Sequence, residues 1–166
     1  MSTSTDAVRQ ITVPPAARLR TTFSRVDYED AFLVDARPAR ERTAEEWARA
    51  VLEDASADMR RDLAKGWFAL GLRLRPVGSD GSVLGWDVRR GSAEFALLGA
   101  DGRLGITGEL LFERRPDGLL FATFIRLGNP LARATWARVA PRHRTVVREL
   151  LTRAASSVPV GDASRG

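Results

Sequence analysis

Asn129-Pro130-Leu131-Ala132-Arg133-Ala134-Thr135-Trp136-Ala137-Arg138-Val139-Ala140-Pro141-Arg142-His143 opens the longest periodic segment of the chain. Asn129 suits an N-cap, because its side-chain oxygen can accept from a free amide of the first turn. Pro130 takes the first helical position, where its missing N–H loses nothing and its φ is preset. The segment runs on to Ala154, room for a helix of about six turns. At 100° per residue Ala132, Trp136, Val139, His143, Val146, Val147, Leu150 and Ala154 share one stripe, with Arg133, Arg144 and Arg148 opposite. Pro141 lies inside this helix and should bend it, since it removes a donor and crowds the preceding turn.

Upstream of the helix the period changes to two. Strands are expected near Leu84–Arg89, Ala93–Leu98, Leu104–Glu113 and Leu119–Leu127, parted by Arg90-Gly91-Ser92, Ala100-Asp101-Gly102 and Pro116-Asp117-Gly118. Turns this short force antiparallel neighbours, so these strands form a meander. Before them, Gly78-Ser79-Asp80-Gly81-Ser82 is a turn cluster that closes a helical stretch. Thr43-Ala44-Glu45-Glu46 fits a capping box leading to Trp47, Val51 and Leu52 at helical spacing. Ser56 offers a second cap before Met59, Leu63, Trp67 and Leu70. Earlier still, Tyr28–Val34 turns apolar and stops before Arg37-Pro38, reading as the first strand.

The composition agrees with one folded domain. The chain has 166 residues, 44% hydrophobic and 28% charged, within the range of globular proteins and outside that of disordered or collagen-like ones. With 0 Cys there is neither disulfide nor thiolate chemistry, which fits a reducing, cytoplasmic setting. No apolar run reaches the roughly 20 residues of a membrane-spanning helix. Residues 1–20 and 156–166 are read as flexible tails around a single domain at 21–155, with no signal-peptide pattern at the start. The net charge of +5 comes from arginine, Lys65 being the one lysine. Those arginines are interleaved with 21 Asp and Glu rather than clustered, which argues against a nucleic-acid partner.

Strand, two short helices, antiparallel meander and long C-terminal helix make an α+β order in which a curved sheet wraps around one helix. That order resembles the helix-grip superfamily, the START-like or SRPBCC group of polyketide cyclases and lipid-transfer proteins, over roughly residues 26–154. The stretch from Asn129 to His143 is similar to an uncharacterised, mostly bacterial branch, although Arg142 stands where a bulky apolar residue is usual. The resemblance implies a cavity between sheet and long helix that holds an apolar or amphipathic small molecule. It does not imply catalysis, since one scaffold serves many chemistries.

Candidate site residues follow from the stripe and from strand parity. His143, the single histidine, lies within the apolar stripe, where it would hydrogen-bond a ligand carbonyl, act as general acid or base, or simply be a core histidine bonded to the backbone. Trp67, Trp86, Phe95, Phe112, Phe124 and Trp136 are candidates for the cavity wall or for plain core, with Leu110 and Val139 beside them. On 106–113, Ile106, Gly108, Leu110 and Phe112 form the inner set, leaving Glu109 and Glu113 to solvent and to arginine partners. The following strand is apolar on both faces. With a bulged turn opposing Arg115 to Leu119, its inner set is Leu120, Ala122, Phe124 and Arg126. A slip of one residue selects Phe121, Thr123 and Ile125 instead. In the first register Arg126 points inward, toward a ligand anion or an ion pair with Glu94 or Asp87.

No cofactor is called for. One histidine without cysteine lacks the ligand set of a zinc site, so no metal is expected. Gly99–Gly105 has neither the Lys-Ser/Thr of a phosphate loop nor its strand-to-helix setting. The leading expectation is a small-molecule-binding module with no reaction of its own. The alternatives are a cyclase, dehydratase or isomerase using His143 as acid or base, which requires a polar partner within reach of His143, and an interaction protein binding anionic partners through arginine. The oligomeric state is left open.

Overall fold

A computed structural model describes residues 7–36 and 41–157. Its elements are β1 (Val8–Ile11), α1 (Pro15–Arg18), β2 (Tyr28–Asp35), α2 (Ala44–Leu52), α3 (Ala57–Ala69), β3 (Ser82–Val83), β4 (Trp86–Gly91), β5 (Phe95–Ala100), β6 (Ile106–Arg115), β7 (Gly118–Leu127) and α4 (Pro130–Ser156). The fold is α+β, with the seven strands in one antiparallel sheet of order β1-β2-β7-β6-β5-β4-β3 and the long C-terminal helix on one face. This is a helix-grip-like arrangement.

The local signals act as their chemistry requires. Thr43 and Glu46 form the reciprocal capping box of α2, and Ser56 accepts from the Met59 amide to start α3. Asn129 accepts from the Ala132 amide to start α4, 2.8 Å away. That helix continues through Pro141. Both Pro141 and Ala137 are exposed, so the carbonyl deprived of its donor is open to water. Arg144 and Arg148 do not simply face solvent: they reach round the helix to the Tyr28 hydroxyl and the Val8 carbonyl.

Several boundaries differ from expectation, β5 and β6 each lying two residues later than expected. Residues 8–11 and 15–18 are not tail but β1 and α1. β1 pairs with β2, Val8 opposite Val34, a partner lying too far along the chain for local pattern to reveal. At the other end α4 extends to Ser156. Residues 1–6 and 158–166 of the expected tails, and Arg37-Pro38, lie outside the described residues. Leu84 does not open a strand, because Leu84 and Gly85, at φ 47° and 88°, form the two-residue loop between Val83 and Trp86. Two consecutive positive φ values are the signature of a type I′ hairpin, whose twist matches its strands.

The decisive difference is the β6–β7 register. Arg115 stands opposite Gly118, so only Pro116 and Asp117 form the turn, and Phe112, Leu110 and Gly108 oppose Phe121, Thr123 and Ile125. The slipped alternative is therefore the one adopted. The inner face carries Phe32, Leu98, Phe112 and Phe121 against Trp47 and Val51 of α2 and Val147, Leu150 and Leu151 of α4. The outer face carries Leu97, Leu111, Leu120, Ala122 and Phe124, covered by Val13, Ala17, Phe23 and Val26 of the N-terminal segment. Both faces are thus buried, which is why β7 carries apolar residues on each of them.

Candidate functional site

Between α3, α4 and the inner face of the sheet lies a cleft of about 380 Å³. Leu63, Gly66 and Trp67 of α3 with its C-cap Leu70 form one wall and Trp136, Val139, Val146 and Val147 of α4 the other, with Leu110 and Phe121 as the floor. The lining is mostly apolar, and Asp62, Arg142 and Glu149 are its charged members. α3 is a loosely seated cover: Leu63 is its one buried side chain among the described residues. A second hollow of about 370 Å³ is lined by Arg18, Thr21, Phe23, Val26, Asp27, Tyr28 and Glu29. Its charged groups are already engaged, Arg18 with Glu29 and Asp27 with Arg25.

Of the expected site residues, Trp67, Leu110, Trp136, Val139 and His143 line the cleft. Trp86 supports it from behind, packed edge-on to Trp67 at 5.5 Å. Phe112 is fully buried beneath the floor and packs edge-on to Phe121 at 5.2 Å. Three candidates lie elsewhere, and the register explains two of them. Phe124 belongs to the outer core. Arg126 points outward over the Phe23 ring, 5.0 Å from its centre. Phe95 is also on the outer face, beneath the Arg20 guanidinium at 4.0 Å. Neither carboxylate expected for Arg126 pairs with it: Glu94 meets Arg114, and Asp87 meets Arg75 at 3.2 Å.

Glu109 is a further correction. It is not solvated but fully buried on the outer face, accepting from the Thr21 hydroxyl and from the Thr22 amide and hydroxyl, with Arg89 at 3.3 Å. Glu113 stays near the surface with Arg115 at 3.2 Å and Arg20 at 3.9 Å.

His143 does not stand in an apolar shell. Its Nε2 is 3.1 Å from Oδ2 of Asp30 and 3.2 Å from Oγ1 of Thr123. Asp30 and Thr123 are cross-strand partners on β2 and β7, so two adjacent strands present both groups at the same level beneath α4. The Asp30 side chain is 2% exposed and that of His143 17%. The Tyr28 hydroxyl donates to the same Oδ2 at 2.7 Å and receives from Arg144 at 3.2 Å. Burial, reinforced by Asp30, pushes the Tyr28 phenol above its ordinary range, so it remains a hydrogen-bond donor at any neutral pH. Trp136 packs against both rings, 5.1 Å from Tyr28 and 5.2 Å from His143 between centres.

Tyr28 and Asp30 were not singled out from sequence, and Thr123 appeared only within the slipped inner set. One signal was present: Tyr28, Asp30, Phe32 and Val34 share a face by strand parity. An acid within such an inner set marks a buried group that must find a partner. A carboxylate held against one imidazole nitrogen fixes ring and tautomer, leaving the other nitrogen for a ligand or proton. Among the described residues no group of three or more His, Cys, Asp or Glu is placed to hold a metal, and no helix is long and apolar enough to cross a membrane. No protein-family model matches the chain, and no curated protein matches it.

Proposed function

We propose that this protein is a helix-grip small-molecule carrier or sensor of the START-like type, holding an apolar or amphipathic ligand between α3, α4 and the sheet. One observation carries the reading: the cleft is walled by Trp67, Trp136, Val139 and Phe121 and includes a single imidazole whose Nε2 is anchored on Asp30. Aromatic and aliphatic walls supply affinity and a few fixed polar groups supply orientation, the usual division of labour in ligand pockets. The loosely seated α3 gives a ligand its way in. Many arginines are already committed to carboxylates, among them Arg49, Arg75, Arg89 and Arg114, which favours the cleft over an anion-binding surface as the functional feature.

The test is native mass spectrometry of freshly purified protein, followed by solvent extraction, alongside titration with the neutral fluorophore N-phenyl-1-naphthylamine. A bound apolar passenger, or saturable uptake of one fluorophore per chain that Val139→Trp abolishes while the protein stays folded, supports the reading. An empty protein that takes up no fluorophore refutes it.

The Asp30–His143 pair favours a second reading, an enzyme of the cyclase, dehydratase or isomerase type. The polar partner that such a role demands is present at 3.1 Å. His143 Nδ1 would take a proton from the substrate and Asp30 would stabilise the resulting imidazolium. Deuterium wash-in from heavy water at a carbon of the extracted ligand, lost in His143→Gln, separates this reading from passive binding.

A further inference from the structure

Asp30 does more than occupy one nitrogen of His143. A carboxylate accepts and never donates when ionised. With Asp30 ionised, its contact with Nε2 puts the proton of a neutral ring on Nε2, where Thr123 Oγ1 at 3.2 Å shares it, and leaves Nδ1 without one. Tyr28 secures this arrangement, since its hydroxyl also donates to Oδ2 and is itself held by Arg144. Nδ1 has no hydrogen-bond partner among the described residues, and His143 lines the cleft. The nitrogen open to a ligand is thus a bare acceptor beside apolar walls.

Resting on the small-molecule reading above, we infer that the ligand class is a hydrogen-bond donor on an apolar body, a phenol or long-chain alcohol whose hydroxyl donates to Nδ1 of His143. A ketone, ester or ether would present a second acceptor to Nδ1 and gain no hydrogen bond there, whereas a hydroxyl gains one. This reverses the polarity of the carbonyl contact that the sequence suggests for His143.

The matched probes are 4-hexylphenol and 4-hexylanisole, which differ by capping the hydroxyl with a methyl group. Binding is measured by fluorophore displacement at a pH where the ring ¹⁵N signals show the imidazole to be neutral. The phenol is expected to bind about five- to tenfold more tightly than the anisole, the span of one net hydrogen bond. In His143→Leu the order should invert, because the anisole is the more apolar of the two. A second measurement needs no variant: the lone histidine gives one pair of ring ¹⁵N signals, expected to show a protonated Nε2 and a bare Nδ1. Equal binding, tighter anisole binding or a protonated Nδ1 in the neutral ring overturns the donor assignment while leaving the apolar cleft standing. Failure of both probes to bind overturns the small-molecule reading and this inference with it.

Discussion

The Thr22 amide donates to Oε1 of Glu109 at 3.0 Å, tying the N-terminal segment to the middle of β6 on the face away from the cleft. The same carboxylate accepts from both neighbouring hydroxyls and faces Arg89. Its burial is thus compensated on each oxygen, and the outer core closes around it. Glu109→Leu would leave these donors without an acceptor, a loss on the order of 3 kcal/mol. Glu109→Gln, which keeps shape and one acceptor, is expected to lose less. Urea unfolding of the two variants gives the ordering, and faster hydrogen exchange at the Thr22 amide should accompany the larger loss.

Gly118 opens β7 where the chain passes closest to β2. A Cβ there would stand 1.7 Å from the Val34 carbonyl oxygen and 3.2 Å from the Ala36 amide nitrogen, backbone atoms that no rotamer change can move. Gly118→Ala is therefore expected to disrupt the β2–β7 pairing and to cost more than about 3 kcal/mol, in the severe range for single substitutions. Thermal unfolding followed by far-ultraviolet circular dichroism is the direct check.

Gly66 in α3 is the opposite case. Nothing lies within 4 Å of a Cβ built there. Gly66→Ala should stabilise the protein by about 0.5–1 kcal/mol, because alanine loses less backbone freedom in a helix. If α3 is the ligand's way in, the same change should slow uptake of the fluorophore in stopped-flow mixing more than it alters the equilibrium affinity.

Asp27 gives a pH dependence with a definite sign. Oδ2 accepts from the Leu127 amide at 2.7 Å, with Arg25 at 3.3 Å, and Oδ1 faces Arg133 at 3.7 Å. The amide hydrogen bond, helped by the two guanidinium groups and only partly opposed by burial, holds this carboxyl below its ordinary range. A carboxyl depressed in the folded state binds fewer protons there than when unfolded. Its contribution is complete above the unfolded value, about 4, and disappears as the pH falls through the lower folded one. Asp27→Asn should accordingly destabilise the protein at neutral pH by an amount that shrinks on acidification, measured by urea unfolding at about pH 7 and at about pH 3.

Local chemistry made most of the fold legible. The caps at Thr43, Ser56 and Asn129 and the length of α4 depend on neighbours within a few residues, and sequence reports those directly. The β6–β7 register depended on whether two or three residues turn the chain, and Pro116-Asp117-Gly118 accommodates both. Because β7 is apolar on both faces, burial did not choose between the registers. That single ambiguity sent Phe124 and Arg126 to the wrong side. Half of the cleft was readable because helical periodicity puts Trp136, Val139 and His143 together. The partners of His143 were not, since Asp30 is brought to it by the β2–β7 pairing across more than half of the chain, and Thr123 faces it only in the register that burial did not choose.

Both margins of the sheet are its shortest strands, β1 with four residues and β3 with two. An exposed strand edge is a template on which another chain can add. Here the free template is only a few residues long at either end, while the ten-residue strands β6 and β7 sit at the interior with both sides paired. A protein whose stickiest segments are shielded in this way should tolerate high concentration without strand-to-strand assembly.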